Sequence, residues 1–171
     1  FGNTRRANGE VESDPTLKAL LDTNAPIMTL VGKSSEYQVK DILQTSLEEN
    51  IAMVADSVRY LKGKGRRVFF DAEHFFDGYK MNPEYSLQVL RVAMEAGAER
   101  LILCDTNGGT LPSEVAEIVT QIADDLGDEA VLGIHSHNDT DTAVASAISA
   151  IEAGAFQVQG CMNGYGERTG N

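Results

Sequence analysis

Five short apolar runs punctuate the chain, at residues 27–31, 68–70, 101–104, 131–134 and 156–158. Each is rich in β-branched and large side chains and ends abruptly in polar or small residues, so each predicts a strand covered on both faces rather than a helix. Between them apolar positions recur at three- and four-residue spacing. Val39, Ile42, Leu43, Leu47, Ile51, Val54, Val58 and Leu61 predict one long amphipathic helix or a broken pair. Leu87, Leu90, Val92 and Met94 predict a second, entered through Asn82-Pro83, where Pro suits a first turn. Leu111-Pro112-Ser113-Glu114 opens a third that closes near Gly127, and residues 139–153 predict a fourth, Ala-rich and stopped by Gly154. The alternation predicts a parallel sheet with right-handed crossovers.

Successive strands start about 25 to 40 residues apart, near the roughly 30 residues per unit of a (β/α)8 barrel, although a doubly wound open sheet shares that rhythm. Two features favour the barrel. No glycine-rich fingerprint follows the first strand, so a dinucleotide site lacks support. Polar residues also cluster at the end of strand after strand, in 71–73, 105–107, 135–139 and 163–171. An open sheet concentrates its site at one switch point, whereas a barrel draws on every strand end. The predicted fold is therefore α/β, a partial (β/α)8 TIM barrel that makes residues 1–171 one incomplete catalytic domain.

Composition narrows the partners. A net charge of −12, with no basic stripe at either end or along a helix, argues against nucleic acid and anionic membranes. No apolar run approaches the roughly 20 residues of a membrane span. The amino-terminal stretch has no apolar middle and is not a signal peptide. Cys104 and Cys161 have no metal-finger spacing and read as reduced, buried thiols of a cytoplasmic or organelle-matrix protein, with a disulfide as the alternative.

The sharpest chemical signal is His135-Ser136-His137. Two histidines at i and i+2 on a strand share a face, so both imidazoles can reach one cation at roughly 2.0–2.2 Å. The alternative is a pair of rim histidines held by hydrogen bonds, but a buried imidazole without a partner is costly. The loop 163–171 carries three glycines, a carboxylate, a guanidinium and an amide, one βα unit beyond the histidines. It is either an ordinary turn or the source of a further metal ligand. Asp71 and Glu73 again share one strand face, as cation ligands, as a general base or as a solvated strand end. The hydroxyl and Gly-Gly backbone of residues 105–109 suit the carboxylate of a small substrate, or a simple turn. Glu48-Glu49 and Asp124-Asp125 are solvated helix faces.

Six stretches in unbroken order, FGNTRR (1–6), DAEHFFDGY (71–79), NPEY (82–85), CDTNGGT (104–110), GIHSHND (133–139) and VQGCMNGYGERTGN (158–171), resemble the DRE-TIM metallolyase superfamily. The branch they resemble is that of the citramalate, isopropylmalate and homocitrate synthases, and DAEHFFDGYKMNPEY, CDTNGGTLP and NGYGERTGN are most similar to citramalate synthases. The resemblance implies an acyltransferase that condenses acetyl-CoA with a 2-oxo acid, pyruvate giving citramalate, by metal-assisted Claisen condensation and thioester hydrolysis. It places that reaction in isoleucine or leucine biosynthesis.

The same resemblance implies a divalent metal (Mg, Mn, Zn or Co) held by His135, His137 and Asn171. It puts Thr106 on the carboxylate of the 2-oxo acid and Glu73 beside the reacting carbons. Glu167 and Arg168 are carried over as catalytic-loop residues that shape the loop around the metal. The implied partners are the 2-oxo acid, acetyl-CoA and a second copy of the full-length protein. Lyases of the superfamily have a cysteine-bearing loop where this chain has Gly166-Glu167-Arg168. A metal-dependent hydroxyacyl-CoA lyase, or a non-catalytic barrel remnant serving as a subunit partner, are the alternatives. The family's first-strand motif, with its Arg and its Asp ligand, is absent, so the chain is expected to run from about the third strand end to just past the eighth and to be inactive alone. Gln38 stands where many relatives have a histidine.

Overall fold

All five expected strands form, and a two-residue strand precedes them. The computed structural model describes residues 1–171. Its strands are β1 (Gly2–Asn3), β2 (Ile27–Lys33), β3 (Arg67–Glu73), β4 (Arg100–Asp105), β5 (Leu132–Ser136) and β6 (Gln157–Gln159). They lie in one sheet in chain order, every neighbouring pair parallel. A doubly wound sheet reverses its strand order at a switch point; this sheet never reverses, as the wall of a barrel does not. The strands run further into polar sequence than the apolar runs suggest, so Lys33, Asp71, Glu73, Asp105 and Ser136 all belong to strands. Val131 and Phe156 do not. They sit one residue ahead of β5 and β6, where the Val131 carbonyl and the Phe156 amide join their neighbours' ladders at 3.0 and 2.8 Å.

The helices are α1 (Pro15–Asp22), α2 (Leu47–Gly63), α3 (Phe75–Met81), α4 (Pro83–Glu95), α5 (Pro112–Leu126) and α6 (Ala143–Glu152). The long apolar repeat from Val39 to Leu61 is a broken pair: one π turn over Gln38–Ile42, then α2, started by the Ser46 hydroxyl accepting from the Glu49 amide at 3.1 Å. α1 is short, with only Leu17 and Leu20 buried, but its start is marked by Asp14-Pro15, the carboxylate accepting from the Thr16 and Leu17 amides. α6 starts at Ala143 rather than at 139, because residues 138–142 form a turn in which the Asn138 side chain accepts from the Ala143 amide at 3.0 Å.

Strand parity divides the sheet into two faces. Met28, Leu30, Val68, Phe70, Ala72, Leu101, Leu103, Leu132 and Ile134 point toward the helices and join Val54, Val58, Leu90, Val119 and Ile122 in one buried core. Phe70 is fully buried there, which stabilises by about 1.5–3 kcal/mol. Gly32 lies against it: a Cβ would stand 2.7 Å from the Phe70 ring, so the neighbouring strand needs a glycine. The alternate positions, Val31, Asp71, Glu73, Cys104, His135 and Gln159, face the other way, into the barrel interior.

Candidate active site

The register sets the site. Cys104 pairs across to His135, and His135 to Gln159, so side chains from β4, β5 and β6 stand in one row. With Asp71 and Glu73 from β3 and the loop after β6, they line a cavity of about 610 Å³. Six residues proposed from the sequence meet there: Glu73, Thr106, His135, His137, Glu167 and Asn171. The seventh, Arg168, is not in the lining. Its guanidinium turns to Asp139, at 2.7 and 2.9 Å, and to the Thr106 carbonyl at 2.7 Å, tying the loop to the ends of β4 and β5. Gln38 lies in the π turn, away from this cavity.

The two imidazoles do share a face, with ring centroids 5.1 Å apart. His135 Nδ1 meets Gln159 Oε1 at 2.8 Å, and its Nε2 is in contact with the Asn171 amide nitrogen. His137 is buried and its Nδ1 has no partner. Burial holds the His137 pKa below the ordinary histidine value, assisted by His135 and the Arg168 cation, so the ring is neutral at pH 7. A neutral imidazole with an unpartnered buried nitrogen, beside a second imidazole and an amide, fits a cation site.

A second donor group lies close by: ligand atoms of Asp71, Cys104 and His135 are all within 4.8 Å of one another. It is less ready to bind. Burial raises the Asp71 carboxyl to about 6 and pushes the Cys104 thiol well above its usual value, helped by the nearby carboxylates. The Cys104 thiol holds a proton that a metal ligand has to lose, whereas Asp71 is largely ionised at pH 7.

Around the imidazoles, the Thr106 hydroxyl accepts from the His74 amide at 2.8 Å, and His74 adopts a left-handed conformation (φ 57°) to present that amide. One lone pair is thereby used and the hydroxyl proton is left for another acceptor. Glu73 is ion-paired with Lys33 of β2. Glu167 is exposed on the loop, 3.7 Å from Arg168. Local pattern does not single out Lys33 or Gln159, and it marks Asp139 only as part of the polar strand end 135–139. Gln159 was hidden because residues 156–158 read as an apolar run; the Gln157-Val158-Gln159 alternation is the signal that could have found it.

The sequence matches the HMGL-like family over residues 11–171. The chain belongs to that family. Two (R)-citramalate synthases, from Aquifex aeolicus and Streptomyces coelicolor, are 53% and 54% identical to this HMGL-like chain over 171 residues, covering all of it and 32% of each relative. A 2-isopropylmalate synthase of Clostridium kluyveri is 34% identical over 168 residues, 97% of this chain and 32% of the relative. The chain thus spans about a third of the length of the curated relatives it matches. Among solved structures, the HMG-CoA lyase from Brucella melitensis aligns with a TM-score of 0.76 at 18% identity, over 87% of this chain and 53% of that one. At that identity the likeness speaks for the fold alone, and the fold is part of a TIM barrel of the HMGL-like kind.

Proposed function

We propose that the protein carrying this chain condenses acetyl-CoA with pyruvate to give citramalate, and that residues 1–171 form part of its catalytic barrel. The observation that carries the reading is the meeting of His135, His137, Asn171, Glu73 and Thr106 around one cavity, in a chain 53–54% identical to (R)-citramalate synthases. A divalent cation held by His135, His137 and Asn171 would act as a Lewis acid on a 2-oxo group. Thr106 keeps a hydroxyl proton that it can donate to the carboxylate of the 2-oxo acid, because toward the His74 amide it is an acceptor only. Glu73, paired with Lys33 at the cavity wall, would stand beside the reacting carbons. Glu167 lends its carboxylate from the loop, and Arg168 acts as a positioning residue through Asp139. Thioester hydrolysis releases CoA and draws the condensation forward. The resemblance also carries a homodimer and a cytoplasmic location; no helix is long and apolar enough to cross a membrane.

The test is release of free thiol by the full-length protein. Thiol that appears only with acetyl-CoA and pyruvate together, stops on chelation and returns with Mn or Co supports the reading. Acetyl-CoA formed from a hydroxyacyl thioester would make the protein a lyase instead. Silence in both assays would leave a non-catalytic barrel.

A further inference from the structure

Gln159 spans the barrel interior between two residues that are not neighbours in the sheet. Its Nε2 donates to Asp71 Oδ1 on β3 at 3.0 Å, and its Oε1 meets His135 Nδ1 on β5 at 2.8 Å. The amide has one donor end and one acceptor end. An ionised carboxylate only accepts, so the NH2 group has to face Asp71 and the oxygen has to face His135. An oxygen at 2.8 Å from Nδ1 then requires the proton to be on Nδ1, which leaves the lone pair on Nε2.

A second amide reaches the same ring from the other side. Asn171 Oδ1 takes the Cys161 thiol at 2.6 Å, which turns the Asn171 NH2 toward His135 Nε2. A donor facing Nε2 needs a lone pair there. Two amides, each oriented by a different third group, therefore demand the same tautomer. As a cation ligand Asn171 would instead turn its oxygen inward, away from Cys161, and free the His135 Nε2 lone pair.

We propose that Asp71 and Gln159 form a directional relay that locks His135 as the Nδ1–H tautomer and presents its Nε2 lone pair to the cation site. The inference rests on the cation reading above and adds two positioning residues to it. Metal-binding histidines are oriented by such partners on their other ring nitrogen, and loss of the partner weakens metal binding about 10–100-fold. Gln159 could instead serve only to satisfy a buried Asp71. The two roles differ in one respect: the relay needs direction, whereas satisfaction needs only a hydrogen bond.

Asp71→Asn separates them. A carboxamide has the same shape but can accept or donate, so the bond survives and its direction is lost. Adding Gln159→Glu restores direction, because the new carboxamide donates and the new carboxylate accepts from Nδ1. The readouts are the 15N shifts of the His135 ring in the metal-free full-length protein, in mildly alkaline buffer, and the affinity for Co(II). The expected result is a single Nδ1–H tautomer in the wild type and a mixture in Asp71→Asn, with Co(II) binding about tenfold weaker. The double variant should return to one tautomer and to within about twofold of wild-type affinity. Should Asp71→Asn fail to fold, Gln159→Met removes the acceptor at similar length and should likewise mix the tautomers. An unchanged tautomer in these single variants, or a double variant no better than Asp71→Asn, overturns the relay. A wild type that takes up no Co(II) overturns the cation reading instead, since the tautomer is measured without metal.

Discussion

Two regions build the candidate site in different ways. The wall of β3, β4 and β5 carries Asp71, Glu73, Cys104 and His135 on strands whose reverse faces are sealed by Phe70, Leu101, Leu103 and Ile134 against the helices. The loop over residues 160–171 carries Glu167 and Asn171 with almost no core of its own. Met162 and Tyr165 are 85% and 83% exposed, and Asn163, Gly164, Arg168 and Gly170 all have positive φ. Polar clasps hold it: Arg168 on Asp139, the Asn138 amide on the Gly170 carbonyl at 2.9 Å, and the Cys161 amide on the Asn171 carbonyl at 2.6 Å. The wall is thus positioned by apolar burial and the loop by directional bonds. Damage to the wall should show in stability; damage to the loop should show in turnover.

The largest effect tests the wall. Phe70→Ala removes a fully buried ring and leaves a space beside Gly32, which has no side chain of its own to fill it. The expected loss is about 3–5 kcal/mol, measured by urea unfolding of the full-length protein. The folded fraction should keep its substrate affinity, because Phe70 points away from the cavity. A loss under about 1 kcal/mol would mean that the wall is not set by its core.

A smaller effect comes from the polar side of the same wall. Asp71 is raised from 3.8 to about 6, chiefly by burial, with the Gln159 hydrogen bond and His135 opposing. A folded pKa above the unfolded one means that the folded state holds the proton more tightly. This stabilisation is full below about pH 4 and is lost as pH rises through about 6. The difference is about 3 kcal/mol at one to two kcal/mol per unit, taken without metal. The chelated wild type should therefore lose more stability than Asp71→Asn between pH 4 and 7. Comparing the two cancels groups such as Glu49 and Asp77, whose lowered pKa values act in the opposite sense. Parallel pH profiles would show that burial does not govern this carboxyl.

The same division explains what could be read from the sequence. Strand parity is periodic, so the sequence alone puts His135 with His137 and Asp71 with Glu73 on common faces. The strand rhythm gave the barrel wall, and the spread of polar strand ends gave its sense. What period cannot carry is contact between distant segments. The Gln159 bridge to Asp71 spans 88 residues, the Lys33 pair with Glu73 spans 40, and the Arg168 clasp on Asp139 spans 29. Each depends on which strand ends come to face one another, a consequence of register and of the packing of distant segments rather than of local pattern. Local competition moves the start of α6 from its expected place and decides between the two readings of the long repeat. The Asn138 turn delays α6, and the bend between the π turn and Ser46 cuts the long repeat in two.

The smallest effect tests the loop and decides whether the distinction holds. Arg168 lies outside the buried core; its side chain is 42% exposed and its guanidinium is bound to Asp139 and the Thr106 carbonyl. Arg168→Ala should leave the urea midpoint in place, since exposed ion pairs contribute little to global stability. It should lower kcat about tenfold, because Asn171 and Glu167 lie within four residues of the clasp and a site loosened by a fraction of an ångström loses orientation. Asp139→Asn should do the same, and the double variant should be no worse than either single, because both remove one clasp. Steady-state kinetics with acetyl-CoA and pyruvate, run beside urea unfolding, reads both quantities on one preparation. If Arg168→Ala moved the midpoint as Phe70→Ala does, the loop would be part of the core. If it left kcat unchanged, the clasp would have no hold on Asn171, and the loop would be positioned by its Asn138 and Cys161 contacts instead.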